Sequence, residues 1–146
     1  MTPIRRSAAM IAAAVATVGA LAAVTAEVRA HGDVTPQPVD ITGLEPIKEG
    51  WAQENPYRDN AAAVKIGASG YNQNCARCHG LEAISGGLAP DLRFLEKGKT
   101  GDDWFMERVR KGATINGVTK MPAFDGIMSQ EAMWAIRSYL ESRHEG

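Results

Sequence analysis

The chain has 146 residues, a formal net charge of −1 and a hydrophobic fraction of 45%. This length suits one compact domain and leaves little room for two. With 16 basic and 17 acidic residues, the chain has no strong charge of either sign. This balance argues against nucleic acid or an anionic membrane surface as a partner.

Residues 1–30 have the pattern of an export signal. Two arginines form a basic start, and an almost uninterrupted apolar run rich in Ala and Val extends from Ala8 to Ala26. Small residues then predict cleavage after Ala30, with Ala26 as the other possible cleavage position. An uncleaved anchor is the alternative, but the apolar run is at the lower edge of spanning length. We therefore expect a periplasmic protein with no stable membrane insertion after signal cleavage.

Residues 31–59 are predicted to form an extended, acidic and proline-rich arm. Four prolines and no sustained apolar period favour turns over helices, and six carboxylates stand against two basic residues. We expect Trp51 and Tyr57 to attach this arm to a domain of residues 60–146. The arm either covers apolar surface of the domain or helps to dock a partner.

The domain is predicted to be helical. Small or apolar residues at four-residue steps predict a first helix from Asn60 to Asn74, in which Gly67 indicates the close approach of another helix. A short second helix is expected to begin at Asp102 and Asp103 and to end at Gly112.

A third helix is predicted at the C-terminal end. Ser129 is a good N-cap, and an apolar stripe at helical spacing follows it, formed by Met133, Ile136, Tyr139 and Leu140. No period-two alternation indicates a strand, so the segment containing Gly117 and Pro122 is expected to be irregular.

The segment Cys75-Ala76-Arg77-Cys78-His79 carries the main chemical signal. Two thiols three positions apart lie about one helical turn from each other, so both can form thioethers with the two vinyl groups of one porphyrin. The adjacent His79 can then serve as the proximal ligand of the iron. These residues predict one covalently attached haem c.

Three other interpretations of the cysteines are weaker. A disulfide would close a very small loop and would leave His79 without a role. A thioredoxin-like redox pair belongs in a strand and helix context that is missing from this sequence. A zinc site needs further Cys or His ligands, and only His31 and His144 remain, near the two ends of the predicted mature chain.

A sixth iron ligand is predicted at Met121. This methionine precedes Pro122, which stiffens an otherwise irregular segment able to hold a thioether over the distal face. Met106 and Met133 are on predicted helices, where methionine is more often part of the core. Sulfur ligation favours the ferrous state and so suits a carrier.

Over residues 60–142 the sequence resembles the monohaem class I cytochromes c of the mitochondrial type. Gly67, Tyr71 and Cys75 match the family's pattern of a glycine, an aromatic residue and the Cys-x-x-Cys-His group at four-residue steps. The resemblance implies an all-α cytochrome c fold, with three main helices and long irregular loops around one haem c. It also implies that the first and last helices cross, with Gly67 and Tyr71 against Ile136 and Tyr139.

The resemblance also implies a role for Pro90. The segment Ala89-Pro90-Asp91-Leu92 is similar to the family's Gly-Pro-Asn-Leu segment, whose proline carbonyl accepts the proton of the proximal histidine. By this likeness, Pro90 would orient His79.

A narrower resemblance concerns the electron donor. Residues 31–38, 55–58 and 70–82 are similar to periplasmic cytochromes c that accept electrons from PQQ-dependent alcohol dehydrogenases. This likeness implies a one-electron shuttle to a downstream cytochrome or terminal oxidase, not an enzyme. We expect the donor to dock near the haem edge, at contact positions Ala76, Arg77, Lys120 and Ala123.

The alternative function is a haem enzyme of the peroxidase type or a haem-based gas sensor. Either would need a labile sixth ligand and polar groups above the iron, so Met121 would have to be absent or displaced. No further histidine is available for that distal role in the predicted domain interior.

Overall fold

A computed structural model describes residues 35–48 and 50–146. The predicted signal and its cleavage position lie outside the described residues. Within them, no helix is both long enough and apolar enough to cross a membrane.

Four α-helices and one small antiparallel hairpin make up the regular structure of the described residues. The elements in chain order are α1 (Ala61–Asn74), α2 (Ala76–His79), α3 (Gly98–Lys111), β1 (Ala113–Ile115), β2 (Val118–Met121) and α4 (Gln130–Ser142), with 3-10 turns at Leu81–Ala83 and Leu92–Phe94. The three long helices and the irregular connections agree with the predicted all-α cytochrome c fold.

Helix α1 begins where the sequence predicts. The Asn60 side chain accepts hydrogen bonds from the backbone N–H groups of Ala62 and Ala63, at 2.9 and 3.1 Å. Such a cap satisfies two N–H groups that have no partner within the helix. Helix α1 then runs directly into the cysteine motif, because Cys75 is its C-terminal cap.

Helices α1 and α4 cross in close contact. A Cβ on Gly67 would lie only 1.9 Å from the backbone oxygen of Ala135, so no larger residue fits without a shift of the helices. Tyr71, four residues further along α1, packs on Tyr139 with ring centroids 5.3 Å apart. The close approach inferred from Gly67 and the crossing implied by the family resemblance are both confirmed.

Helix α4 is buried on nearly every side. Ser129 caps it as predicted, accepting a hydrogen bond from the N–H of Ala132 at 3.2 Å. The predicted stripe is buried, but so is every residue from Ala132 to Leu140, including the polar Arg137 and Ser138. The apolar stripe therefore understates how much of this helix lies in the core.

Helix α3 begins at Gly98, four residues before the predicted start at Asp102. Lys97 precedes it without a side-chain cap, so the sequence carries no cap signal at the true start. Asp102 is fully buried, and its carboxylate accepts hydrogen bonds from Arg137 Nε at 2.8 Å and from Arg58 at 2.6 Å. Asp102 is thus a member of a buried ion pair and does not mark the start of the helix. The predicted end at Gly112 is confirmed.

The segment between α3 and α4 contains a hairpin that the sequence analysis did not predict. Strand β1 pairs antiparallel with β2, and Ile115 faces Val118 across a turn formed by Asn116 and Gly117. Both turn residues have positive φ, 51° and 75°. An Asn-Gly pair is typical of such a tight hairpin turn. The expectation of an irregular segment was wrong because the strands are too short to show alternation.

The described part of the arm contains neither helix nor strand and packs on α4. The backbone N–H groups of Ile47 and Ala52 donate to the side chains of Glu131 and Gln130, at 3.1 and 3.2 Å. Tyr57 is buried, as its predicted anchoring role requires. These contacts describe a covering segment, while the domain boundary at residue 60 stays a prediction.

Trp51 is held by a charged side chain. The guanidinium of Arg110 lies over its indole, 3.9 Å from the ring centroid. Arginine stacked on tryptophan is a favourable cation–π arrangement. This contact joins the arm to the last turn of α3.

Replacing Gly67 by Ala tests the helix crossing. The added Cβ would overlap the backbone of α4, so we expect Gly67→Ala to lower the free energy of unfolding by about 3 kcal/mol. Gly86→Ala is the matched control, because Gly86 has an ordinary φ and a Cβ added there would have no neighbouring atom within 4 Å. Denaturant unfolding of the purified holoproteins gives both values, and equal midpoints for the two variants would contradict the crossing.

Candidate haem site

The cysteine motif forms one helical turn at the end of α1. The backbone N–H groups of Cys78 and His79 both donate to the carbonyl of Cys75, at 3.1 and 2.9 Å. This geometry places Cys78 one turn beyond Cys75 and brings His79 directly after it. No disulfide joins the two cysteines, and both side chains are partly buried. The spacing is the one that two thioether bonds to a single porphyrin require.

The surroundings of the cysteines disfavour the alternative chemistries. Burial, with a smaller contribution from neighbouring Cys78, raises the pKa of the Cys75 thiol to about 12. A redox-active cysteine pair needs the opposite shift, toward a stable thiolate. Across residues 35–48 and 50–146, no three His, Cys, Asp or Glu side chains come together in a group that could hold a metal ion.

His79 is oriented by a backbone carbonyl. Its Nδ1 lies 2.9 Å from the carbonyl oxygen of Pro90. Because a carbonyl can only accept, this contact places the proton on Nδ1 and leaves Nε2 as the nitrogen with a lone pair. The two groups predicted to form this pair are therefore within hydrogen-bond distance.

A tight turn follows His79. Gly80 has φ of 83°, and a Cβ there would lie 1.8 Å from the carbonyl oxygen of Ile84. The hydroxyl of the buried Tyr71 donates to the Gly80 carbonyl at 2.7 Å. The sequence analysis missed this role of Gly80. The glycine directly after the motif was the available signal, since only glycine adopts such a conformation at low cost.

Tyr71 links this turn to the helix crossing. Burial raises the pKa of its hydroxyl well above the ordinary value, so the group stays protonated and remains a donor at neutral pH. One side chain thus contacts α4 with its ring and the turn after His79 with its hydroxyl.

Met121 is the last residue of β2 and is partly exposed. The hairpin pairs it with Ala113, next to the end of α3. Met106 and Met133, the methionines on the predicted helices, are buried in the core, and so is Met128. Among the methionines of the described residues, Met121 is thus the only one with a partly exposed side chain.

The loop after Met121 is fixed to the end of α3. The N–H of Phe124 donates to the carbonyl of Val109 at 3.0 Å, and the Phe124 side chain is buried. Gly112 has φ of 70°, and a Cβ there would lie 2.4 Å from the backbone oxygen of Met121. Gly112 therefore does more than end the helix, because its missing side chain lets the Met121 backbone pass.

Large apolar side chains remain exposed in the segments that flank the motif and the hairpin. Seven of them expose 46–76% of their surface: Leu81, Ile84, Leu88, Phe94, Trp104, Ile115 and Val118. Phe94 and Trp104 line the same cleft. A large flat apolar group would remove such surface from water, so these residues, two thiols, an imidazole and a thioether together fit a haem.

The predicted donor-contact positions are accessible. Arg77, Lys120 and Ala123 are exposed, whereas Ala76 is partly buried. Neither Arg77 nor Lys120 forms an ion pair with another described residue, although such pairs are common elsewhere on the surface. Both charges can therefore meet a partner without first breaking an ion pair.

Comparison with known proteins identifies the family. The family model described as cytochrome C oxidase, cbb3-type, subunit III, matches residues 62–140. This range begins in α1, contains the cysteine motif and Met121, and ends in α4.

A small cytochrome is similar to this chain over most of its length. Cytochrome c550 of Pseudomonas aeruginosa is 63% identical over 119 residues, which are 79% of this chain and 82% of that protein. No solved structure matches the chain.

Two alcohol dehydrogenases match more weakly. Quinohemoprotein alcohol dehydrogenase ADH-IIG of Pseudomonas putida is 34% identical over 85 residues, 58% of this chain and 11% of the enzyme. The dehydrogenase subunit of alcohol dehydrogenase (quinone) of Gluconobacter oxydans is 39% identical over 83 residues, 56% of this chain and 10% of that subunit. The chain thus spans about a tenth of these enzymes.

From the family match and the extensive identity to cytochrome c550, we conclude that the chain belongs to the cytochrome c family, binds haem c covalently and is an electron-transfer protein.

Proposed function

We propose that this cytochrome is a periplasmic one-electron shuttle that accepts electrons from a quinoprotein alcohol dehydrogenase and passes them to a cytochrome or terminal oxidase. The observation that carries the proposal is the similarity to a segment of two proteins named as alcohol dehydrogenases, one a quinohemoprotein and the other quinone-linked. A separate chain of this kind is suited to receive electrons from such an enzyme by diffusion. The signal-like residues 1–30 support export to the periplasm.

Five residues are proposed to hold the haem. Cys75 and Cys78 would form the thioethers, His79 would bind the iron through Nε2, Pro90 would fix the imidazole, and Met121 would supply the second protein ligand to the iron. The haem supplies the reversible Fe(II)/Fe(III) change. The support is the one-turn spacing of the thiols, the 2.9 Å contact between His79 and Pro90, and the partial exposure of Met121.

The protein's own contribution is to fix these groups before and after electron transfer. Helix α1 and the turn at Gly80 hold His79, whereas the hairpin and Gly112 hold Met121. Little rearrangement is then needed when the iron changes charge, because both ligand segments are attached to packed helices. This rigidity suits a carrier better than a sensor, which needs a labile ligand.

Covalent attachment is tested by extraction. After acid-acetone treatment of the wild type, we expect the haem to stay on the polypeptide, with the mass of one haem added to the chain. Cys75→Ala and Cys78→Ala should each deplete the holoprotein, because the domain gains much of its stability from the bound cofactor. Arg77→Ala, which keeps both thiols, should accumulate normally. Free haem in the wild-type extract would refute the thioether assignment.

Replacement of Met121 tests the sixth ligand. Met121→Ala should give a high-spin or water-ligated spectrum, faster cyanide binding to the ferric protein and a lower reduction potential, because the soft sulfur stabilises ferrous iron. Absorption spectroscopy and a redox titration measure these changes.

Met106→Leu and Met128→Leu are the matched controls for this experiment. Both positions are buried in the core, and a Met to Leu change nearly conserves volume. We expect both variants to keep the wild-type spectrum, cyanide-binding rate and potential. A methionine ligand gives ferric haem a weak absorption band near the red end of the spectrum. Loss of this band in either control variant would contradict the assignment of Met121 as the ligand.

The donor is tested by stopped-flow reduction of the ferric protein with a purified quinoprotein alcohol dehydrogenase and its alcohol. We expect reduction at a rate that accounts for enzyme turnover. Lys120→Glu should change the bimolecular rate constant by a factor on the order of 3 to 10 at low ionic strength, because exposed interface charges act mainly on association.

The control for charge is Lys65→Glu, an exposed lysine on α1 outside the predicted contact positions. This variant should react at nearly the wild-type rate. Equal effects of the two substitutions would argue against docking near Met121. Failure of the dehydrogenase to reduce the wild type would reject the proposed donor, whatever the variants do.

A further inference from the structure

The carboxylate of Asp91 is the centre of a compact hydrogen-bond network directly after Pro90. Its Oδ1 accepts from the backbone N–H of Arg93 at 3.0 Å and from Arg93 Nε at 3.1 Å. Its Oδ2 accepts from the second guanidinium arm of Arg93 at 2.9 Å and from the N–H of Ser85 at 3.2 Å. Four donors thus hold one side chain from two directions.

This network continues into the loop before Pro90 on one side and to the C-terminal residues on the other. On one side, the hydroxyl of Ser85 donates to the carbonyl of Ala89, the residue before Pro90, at 2.5 Å. On the other, Arg93 donates to the carboxylate of Glu145 at 2.5 Å, and the N–H of Glu145 donates to the Arg93 carbonyl at 3.0 Å. The segment around Pro90 is therefore anchored to the C-terminal residues.

Such anchoring matters because the Pro90 carbonyl belongs to the peptide group that joins Pro90 to Asp91. Rotation of this peptide would swing the oxygen away from His79 Nδ1. The segment before it includes Gly86 and Gly87, where an added Cβ would have no neighbouring atom within 4 Å. Pro90 is itself exposed, so water can compete for the contact. The preceding loop has its own hydrogen bonds through the Ser85 hydroxyl, and the Asp91 network adds the attachment of the Pro90 segment to the C-terminal residues.

We propose that Asp91 is a positioning residue, which with Ser85 and Arg93 holds the Pro90 carbonyl on His79 and thereby lowers the reduction potential of the haem. The inference rests on the proposed ligation by His79. An imidazole whose Nδ1–H is held by an acceptor is a more basic ligand, and a more basic ligand favours ferric iron. Loosening the carbonyl should therefore raise the potential.

The charge state of Asp91 is compatible with this role. Hydrogen bonds and the positive charge of Arg93 hold the pKa of the Asp91 carboxyl well below its usual range. The carboxylate therefore remains an acceptor throughout the neutral and mildly acidic range. Replacing Asp91 by Ala leaves the charge of Arg93 less balanced, and this alone would raise the potential, so the control variant must also remove one negative charge.

The experiment compares holoproteins with Asp91→Ala and Glu82→Gln by redox titration and by NMR exchange of the His79 Nδ1 proton in the reduced state. Glu82 is the matched control, because it is another carboxylate close to His79 in the chain and is paired with Arg143 instead of the Pro90 segment. We expect Asp91→Ala to raise the potential and to speed exchange of the His79 proton about tenfold, since a charge-assisted network is lost.

Each outcome decides the inference. Glu82→Gln should leave exchange of the His79 proton unchanged. If Glu82→Gln shifted the potential as much as Asp91→Ala does, loss of a negative charge would explain both shifts, and the proposal would be overturned. Unchanged potential and exchange in Asp91→Ala would overturn it as well. If Asp91→Ala fails to retain haem, Asp91→Asn, which keeps one acceptor oxygen, should show the same changes with smaller size, and their absence would overturn the inference.

Failure of the underlying site is recognised separately. If the wild-type protein gives no haem-shifted His79 resonances, His79 is not the iron ligand, and the proposed site is wrong before any variant is compared. If His79 is the ligand and Asp91→Ala changes neither the potential nor the proton exchange, only the positioning role of Asp91 is refuted.

Discussion

The position of the cysteine motif depends on one backbone contact, the approach of α1 to α4 at Gly67. Because no Cβ intervenes, α1 can lie against the backbone of Ala135, and Tyr71 then reaches both Tyr139 and the carbonyl of Gly80. The motif begins directly after the last residue of α1. A shift of this helix would therefore move both thiols and the imidazole together.

The segment that contains Met121, the proposed second ligand, depends on α3. Its C-terminal end receives the Phe124 backbone, and the side-chain-free Gly112 leaves space for Met121. Helix α3 is fixed in turn by the buried pair of Asp102 and Arg137, which joins it to α4. The cysteine motif and the Met121 segment are thus both attached to helices that pack on α4.

The sequence predicts most of what local patterns can encode. The end of α3 at Gly112, the cap at Ser129 and the close approach at Gly67 were each signalled by a residue type with a specific backbone or packing preference. The cysteine motif could also be recognised from a local pattern, because its chemistry depends on the spacing of three residues within one helical turn.

The parts that were missed depend on tertiary context. The start of α3 has no cap residue, and Asp102 was misinterpreted because its partner, Arg137, is 35 positions away in the sequence. Arg137 belongs to a helix face that looked polar, although only 1% of the residue is exposed. The hairpin did have a signal in Asn116-Gly117, but its strands are too short to alternate. A pairing between residues far apart in the sequence, such as that of Asp102 with Arg137, cannot be deduced from residue periodicity.

The ion cluster of the buried Asp102 and Arg137 with the partly exposed Arg58 and with Glu141 constrains how this protein can change over evolutionary time. Removing Asp102 or Arg137 breaks the fully buried pair and costs about 3–5 kcal/mol, whereas loss of Arg58 leaves that pair intact and costs less. Arg58 lies in the arm, Asp102 in α3 and Arg137 in α4, so the three positions are distant in sequence but energetically coupled. Descendants that lose Asp102 or Arg137 must pass through an unstable intermediate, or alter both positions at once. These two residues should therefore be inherited as a pair, whereas Arg58 can vary more freely.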